Sequence, residues 1–177
     1  ILALDDDPQM LALVRETLEK SGPDASAGPG FEVHTATDAH GAVTAAEEAL
    51  RSGRPFALAL VDLRLDGAGG DGPDGIRAAE RLRDLDPEVE LVLLTGHPER
   101  LGSSPEVLEE LNRRIPPPQR LLYLEKPFRT LELKQLALSL TAKWRARTEL
   151  ARLNENLSLE VEERLAAQRG MEDQFEH

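Results

Sequence analysis

The chain has 177 residues, a length that fits one globular domain with an appendage. Hydrophobic residues make up 40% of it but aromatic residues only 3%, so we expect an aliphatic core. The formal net charge of −12 disfavours direct contact with nucleic acid or with an anionic membrane surface. The absence of cysteine excludes disulfide bonds, thiolate metal sites and thiol catalysis.

The hydropathy pattern contains neither a membrane span nor a signal peptide. No apolar run approaches the roughly 18 residues that a membrane span needs, and no signal peptide precedes Ile1. We therefore expect a soluble, cytoplasmic protein. Because the sequence opens without Met and stops within a helical pattern, we also expect it to be a piece of a longer protein.

Short apolar segments alternate with helical patterns along the chain. Apolar runs and alternation predict strands over 1–4, 31–36, 56–61, 89–94 and 121–124. Helical spacing or alanine content predicts helices over 10–18, 39–51, 76–85, 105–114 and from 130 onward. This alternation predicts βαβ units, and hence an α/β fold with a doubly wound, five-stranded parallel sheet covered by helices on both faces.

Polar side chains follow four of the five predicted strands. Asp5 and Asp6 come after the first strand, Asp62 after the third, Thr95 after the fourth and Lys126 after the fifth. In a doubly wound sheet, ligands bind at the carboxyl ends of the strands. We therefore expect three carboxylates, a hydroxyl and an ammonium group to converge on one edge.

Such a group of side chains is typical of phosphoryl transfer. Three neighbouring carboxylates repel one another unless a cation lies among them, and oxygen ligands favour Mg²⁺. A lysine and a hydroxyl beside the metal can bind a tetrahedral anion. One carboxylate could then attack phosphorus in line, as aspartate nucleophiles do when they form an aspartyl phosphate.

The order Asp-Asp, single Asp, Thr and Lys-Pro after successive strands resembles the receiver domain of two-component response regulators, over about residues 1–142. The resemblance implies a flavodoxin-like fold and a phosphoacceptor that uses Mg²⁺. The phosphoryl donor would be a cognate histidine kinase or phosphotransfer protein. Such a domain is not an enzyme, apart from self-catalysed phosphorylation and dephosphorylation, and it switches an output that lies outside these residues.

The resemblance also implies the roles of the acidic residues. Asp62 matches the phosphoacceptor, and by the same resemblance it would also be a metal ligand. Asp6 matches the direct metal ligand of the acidic pair, whereas Asp5 would act through water. Arg64 would lend its main-chain carbonyl to the metal. Asp7 takes a third acidic position, although before Pro8 it could simply cap the first helix.

Three further residues match the part of the family pattern that contacts and reports the phosphoryl group. Lys126 matches the lysine that contacts phosphate, and its bond to Pro127 would be cis. Thr95 matches the switch hydroxyl and Tyr123 the switch aromatic residue. The alternative for Tyr123 is a core aromatic residue that only needs a partner for its hydroxyl.

Three segments are longer than the family pattern: 22–30, 66–75 and the proline-rich 113–120. The loop after Asp62 has Asp66 where the family usually has proline, and its Asp-Gly pair comes late, at Asp74-Gly75. These departures change the expected loops around the site but leave its charged residues in place.

The last helical pattern begins at Thr130 and outlasts the domain. We predict that residues 143–177 are a helical linker that leads to an output domain absent from this sequence. An apolar stripe of helical spacing predicts a parallel homodimeric coiled coil; it consists of Leu150, Leu153, Leu157, Val161 and Leu165. The alternative is a single, solvated helix of mixed charge.

Two other functions remain open on the sequence alone. A phosphatase similar to the haloacid dehalogenases would use Asp5 as nucleophile, with Asp7, Thr95 and Lys126 completing its motifs. That hypothesis leaves Asp62 without a role and places Gln9 where Thr or Val is usual. A pseudo-receiver with an inert site would serve only as a dimerisation module.

Overall fold

The computed structural model of the chain describes residues 1–20, 30–65, 74–96 and 105–175, with side chains up to residue 169. Most of the predicted long loops 22–30 and 66–75 lie outside these ranges. Every helix within them is too short or too polar to cross a bilayer. The chain divides into two compact units, Ile1–Trp144 and Arg145–His177.

The first unit contains a five-stranded, fully parallel sheet with the strand order β2-β1-β3-β4-β5. The strands are β1 (Leu2–Leu4), β2 (His34–Ala36), β3 (Leu58–Asp62), β4 (Glu90–Thr95) and β5 (Leu121–Glu125). The predicted α/β fold is confirmed, and the strand boundaries differ from the prediction by up to three residues. The order reverses at β1, so the strands of the predicted acidic residues, β1 and β3, are direct neighbours.

Within the described residues, five helices connect and follow the strands: α1 (Pro8–Glu19), α2 (Ala39–Arg51), α3 (Asp74–Leu85), α4 (Pro105–Arg114) and α5 (Thr130–Phe175). A short 3-10 helix, Pro118–Arg120, precedes β5. The expected long C-terminal helix is present as α5, which runs through the boundary between the two units. Asp38 caps α2 by accepting a hydrogen bond from the Gly41 amide at 2.8 Å.

The core is aliphatic, as the composition predicted, and lies on both faces of the sheet. Every residue of β3 and β4 is buried, because helices cover both of their faces. One cluster joins the sheet to α2, α3 and α4, and the other joins it to α1 and α5. Each fully buried Leu or Val contributes about 1.5–3 kcal/mol to folding. Two well-packed layers therefore hold the central strand ends rigidly.

Buried charges occur at the amino-terminal edge of the sheet, which the sequence analysis did not foresee. The guanidinium of Arg83, 4% exposed, donates to the Arg120 carbonyl at 2.9 Å. The Glu90 carboxylate, 1% exposed, lies 3.2 Å from the Lys143 ammonium. These contacts tie β4 to α5 and fix the end of the proline-rich segment 113–120.

Gly75 lies in the first turn of α3, where the helix touches the end of β3. A Cβ atom at this position would lie 1.9 Å from the main-chain oxygen of Asp62 and 2.7 Å from the Cα of Leu63. Both atoms belong to the backbone and have no freedom to move aside. The close approach explains why glycine follows Asp74 at the start of α3.

We expect Gly75→Ala to lower the free energy of unfolding by about 2 kcal/mol or more, because the new methyl group overlaps backbone atoms. Gly41→Ala is the matched control, since it also lies in a first helical turn but its Cβ would be 3.5 Å from the nearest atom, an ordinary contact. In the control, the free energy of unfolding should stay unchanged or rise by up to about 1 kcal/mol, because alanine has the higher helix propensity. Urea denaturation monitored by circular dichroism compares the two variants, and equal unfolding midpoints would contradict the prediction.

Candidate functional site

The carboxyl ends of β1, β3, β4 and β5 meet at one edge, as predicted. Asp62 ends β3 level with Leu94 of β4, so Thr95 lies one residue further along the neighbouring strand. The Lys126 amide donates to the Thr95 carbonyl at 2.7 Å, which fixes the start of the segment after β5. The bond between Lys126 and Pro127 is cis, as expected from the resemblance.

The Lys126 ammonium group joins the two buried carboxylates of this edge. Its Nζ lies 2.6 Å from Asp5 Oδ2 and 2.9 Å from Asp62 Oδ2. The side chains of Asp5 and Asp62 are only 3% and 10% exposed. A buried carboxylate without a cation costs several kcal/mol, so Lys126 is the main compensation for both.

Backbone amides orient the remaining oxygen atoms of the two carboxylates. Asp5 Oδ1 accepts from the Asp7 amide at 2.9 Å, and Asp62 Oδ1 accepts from the Arg64 amide at 3.2 Å. The carboxylate of Asp7 turns away to cap α1, since its Oδ1 accepts from the Gln9 amide at 2.8 Å. The capping alternative for Asp7 is thus confirmed.

Burial and the contact between them shift the pKa values of both Asp62 and Lys126. Burial raises the pKa of Asp62, and this effect exceeds the opposing hydrogen bonds from Lys126 and from the Arg64 amide. Burial lowers the pKa of Lys126, but its hydrogen bonds to Asp5 and Asp62 outweigh that effect, and the net direction is upward. Lys126 is therefore charged at neutral pH. A further cation nearby would stabilise the ionised form of the Asp62 carboxylate.

The oxygen atoms of Asp5, Asp6 and Asp62 fit a divalent metal ion. One carboxylate oxygen from each lies within 4.8 Å of the others. A set made only of oxygen atoms suits Mg²⁺, which combines one or two carboxylates with water and phosphate oxygen atoms. Asp6 is more exposed than the other two, while Asp5 is engaged by Lys126 and by the Asp7 amide.

Thr95 and Tyr123 lie on neighbouring strands. Thr95 is 7% exposed at the end of β4, and Tyr123 is half-buried in β5, level with Leu93. Burial raises the pKa of the Tyr123 hydroxyl, which donates to Asn112 Oδ1 of α4 at 3.4 Å. Tyr123 also packs against the core, as the alternative for it proposed. Asn112 could not be predicted as a partner of Tyr123, because nothing in the sequence pattern of α4 distinguishes it.

No family model matches the chain. Two curated relatives, both named photosynthetic apparatus regulatory protein RegA, are similar to it over 97 residues. The protein from Rhodovulum sulfidophilum is 35% identical and that from Cereibacter sphaeroides 34%. The match covers 55% of this chain and 43% of each relative, so the chain spans less than half the length of the curated relatives it matches.

Solved structures of receiver domains are similar to the chain over most of its length. The receiver domain of NtrX from Brucella abortus has a TM-score of 0.56 and 26% identity, and the match covers 80% of this chain and 97% of that one. A response regulator receiver protein from Sinorhizobium medicae gives 0.55 and 26%, with 81% and 94% covered. A CheY-like receiver domain from Methanospirillum hungatei, at 0.59 and 21% identity, shows the same fold, with 82% and 95% covered.

We expect Lys126→Met to lower the free energy of unfolding by about 3 kcal/mol without Mg²⁺, because Asp5 and Asp62 stay buried without their cation. Saturating MgCl₂ should then stabilise the variant more than the unchanged protein, since the metal alone compensates the carboxylates. Urea denaturation with and without MgCl₂ measures both effects.

Lys20→Met is the control for this prediction, because Lys20 makes an exposed ion pair with Glu16 at the end of α1. It should change neither the stability nor the response to Mg²⁺. An equal gain from MgCl₂ in the unchanged protein and in Lys126→Met would contradict the role given to Lys126.

Proposed function

Because the chain contains a receiver domain of the two-component response-regulator kind, we propose that Asp62 is its phosphoacceptor. The observation that carries the proposal is the bridge from Lys126 Nζ to Asp5 and Asp62. It supports a site where one carboxylate accepts a phosphoryl group while a lysine and an acidic pair remain beside it.

In the proposed reaction, an oxygen of Asp62 attacks the phosphorus of a phosphohistidine in line. The donor belongs to a cognate histidine kinase or phosphotransfer protein. An O–P bond to the carboxylate forms as the N–P bond of the donor breaks, and the imidazole leaves. Lys126 then contacts a phosphoryl oxygen. This oxygen replaces the Asp62 carboxylate as a negative partner of the ammonium group. The domain accepts a group and is not a turnover enzyme, apart from its own phosphorylation and dephosphorylation.

We place Mg²⁺ among Asp5, Asp6, Asp62 and the main-chain carbonyl of Arg64. When bound, Mg²⁺ neutralises charge on the transferring oxygen atoms. The deep burial of Asp5, and its contacts with Lys126 and the Asp7 amide, support a role through water for Asp5. The more exposed Asp6 suits direct coordination.

The proposed response to phosphorylation is a rearrangement of Thr95 and Tyr123. The Thr95 hydroxyl, at the strand end beside Asp62, would donate to a phosphoryl oxygen, and Tyr123 would follow it. A phosphoryl group that makes these contacts in only one arrangement shifts a two-state equilibrium toward that arrangement. The receiver would comprise residues 1–142, and residues 143–177 would lead to the output domain.

We propose a homodimer through α5. Its five stripe residues are 47–59% exposed: Leu150, Leu153, Leu157, Val161 and Leu165. A helical segment without packing partners is marginal in water, and a second copy is the simplest apolar cover for this stripe.

Neither nucleic acid nor a membrane is a proposed partner, since the net charge of −12 repels both. We place the protein in the cytoplasm, beside its kinase.

The phosphatase alternative is weaker in the light of the geometry. Its nucleophile would be Asp5, but that residue is 2% exposed and both of its oxygen atoms are engaged. Its second acidic residue, Asp7, caps α1 instead of facing the cluster. The pseudo-receiver alternative requires an inert site, which the three grouped carboxylates and Lys126 argue against.

The phosphoacceptor is identified by labelling with acetyl phosphate and Mg²⁺, followed by mass spectrometry of the peptides. We expect one base-labile phosphoryl group on Asp62, no label in Asp62→Asn, and loss of label when EDTA removes the metal. Asp62→Asn should remain folded, because it removes one charge from a crowded acidic edge. Asp7→Asn is the control, since asparagine also caps helices well and should leave the label intact.

Two outcomes of the labelling would contradict the assignment of Asp62 as phosphoacceptor. Label on Asp5 with rapid turnover would support the phosphatase. A protein that takes no label under any of these conditions would support the inert module.

The dimer is tested by light scattering on the full chain. Leu157→Glu places a charge in the middle of the stripe and should turn the dimer into a monomer at micromolar concentration. Leu159→Glu is the matched control: Leu159 is 54% exposed but lies about 200° around the helix from Leu157, so the dimer should persist. If the unchanged protein is monomeric both with and without a phosphoryl analogue, at concentrations well above micromolar, the dimer is refuted.

A further inference from the structure

Asn112 on α4 makes a side-chain contact with the strand that carries the switch tyrosine. Its Oδ1 accepts a hydrogen bond from the Tyr123 hydroxyl at 3.4 Å, and both side chains are half-buried. Leu111 and Ile115, on either side of Asn112 in the chain, are buried in the core at 3% and 0% exposure. The packing of these two residues fixes the helix against the sheet, so it also fixes the acceptor in space.

The register of β4 and β5 places Tyr123 and Thr95 on the same face of the sheet. Tyr123 pairs with Leu93, and Thr95 lies two residues further along the same strand. Side chains two residues apart on a strand point to the same face. Tyr123 therefore contacts α4 through Asn112 on the same face of the sheet as Thr95, which lies two residues beyond its partner Leu93.

A tyrosine hydroxyl has a single proton to donate, and here it goes to Asn112. While that bond exists, the hydroxyl is held on the side of α4. A movement of the ring toward Thr95 would require the bond to break. At 3.4 Å the bond is long for an O–H donor, so its contribution is small and easily reversed.

We propose that Asn112 is a positioning residue for the switch: it holds Tyr123 in the arrangement of the unphosphorylated protein. The inference rests on the proposed function, because it assumes that phosphorylation of Asp62 moves Tyr123. Loss of the acceptor raises the fraction of molecules in the arrangement that binds the phosphoryl group, and the apparent affinity for that group rises by the same factor. A weak neutral hydrogen bond corresponds to a change of about two- to fivefold.

The test is the initial rate of Mg²⁺-dependent labelling of Asp62 by subsaturating acetyl phosphate. Asn112→Ala should raise this rate about two- to fivefold. Asn112→Asp, which keeps an acceptor at the same place, should label no faster than the unchanged protein. In a Tyr123→Phe background, which lacks the donor, Asn112→Ala should have no further effect.

Arg113→Ala is the control on the same helix. The Arg113 side chain is 71% exposed and pairs only with Glu110 among the contacts of the described residues, so its removal should leave the labelling rate unchanged. Circular dichroism on every variant checks that α4 remains folded.

Two results would overturn the inference on Asn112 alone: an unchanged or lower rate in Asn112→Ala, or an increase that persists in the Tyr123→Phe background. Absence of label on Asp62 in the unchanged protein would instead overturn the proposed function, and the role of Asn112 with it. The two failures are thus distinguishable in one set of measurements.

Discussion

The shared ion pair of Lys126 with Asp5 and Asp62 is the interaction on which the site depends. It joins residues that are 121 and 64 positions apart in the chain, so it exists only when the sheet is complete. One ammonium group compensates two carboxylates, and the third, Asp6, lies beside them. The fold thus holds two buried carboxylates around a single ammonium group. Burial raises the pKa of the Asp62 carboxyl group, and two carboxylates that share one ammonium group favour a further cation at this edge.

The parallel sheet tolerates the repulsion between these carboxylates because its packing does not depend on the site. β3 and β4 are buried along their whole length, and helices hold them from both sides. The backbone also determines where the carboxylates point: α3 approaches Asp62 so closely that only glycine fits at position 75, and amides orient Asp5 and Asp62. A rigid frame lets the side chains at its edge stay in a repulsive arrangement that an isolated peptide would not keep.

Sequence patterns predicted the elements and the grouping of the site because both follow from local rules. Apolar runs that end in Asp62 or Thr95 identify strands and the edge where they finish, and parallel strands bring such ends together. The same reasoning missed Arg83, Glu90 and Asn112. Glu90 pairs with Lys143, 53 positions away, and Arg83 reaches the Arg120 carbonyl as well as the nearby Val89 carbonyl. A polar or charged residue in a helix or at the start of a strand looks like an ordinary exposed one. Contacts of this kind depend on how helices pack, which periodicity does not specify.

The two charged ends of the sheet differ in charge balance rather than in burial. At the amino-terminal edge, Glu90 is as deeply buried as Asp5, but Lys143 lies beside it, and the neighbouring Arg120 pairs with Glu88. Those contacts contain at least as many cations as carboxylates, so their charges are balanced without a bound ion. At the carboxyl-terminal edge, Asp5 and Asp62 share one lysine, and Asp6 lies beside them. A buried pair of carboxylates that shares one cation favours binding of a further cation, whereas a balanced set of charges serves the stability of the fold.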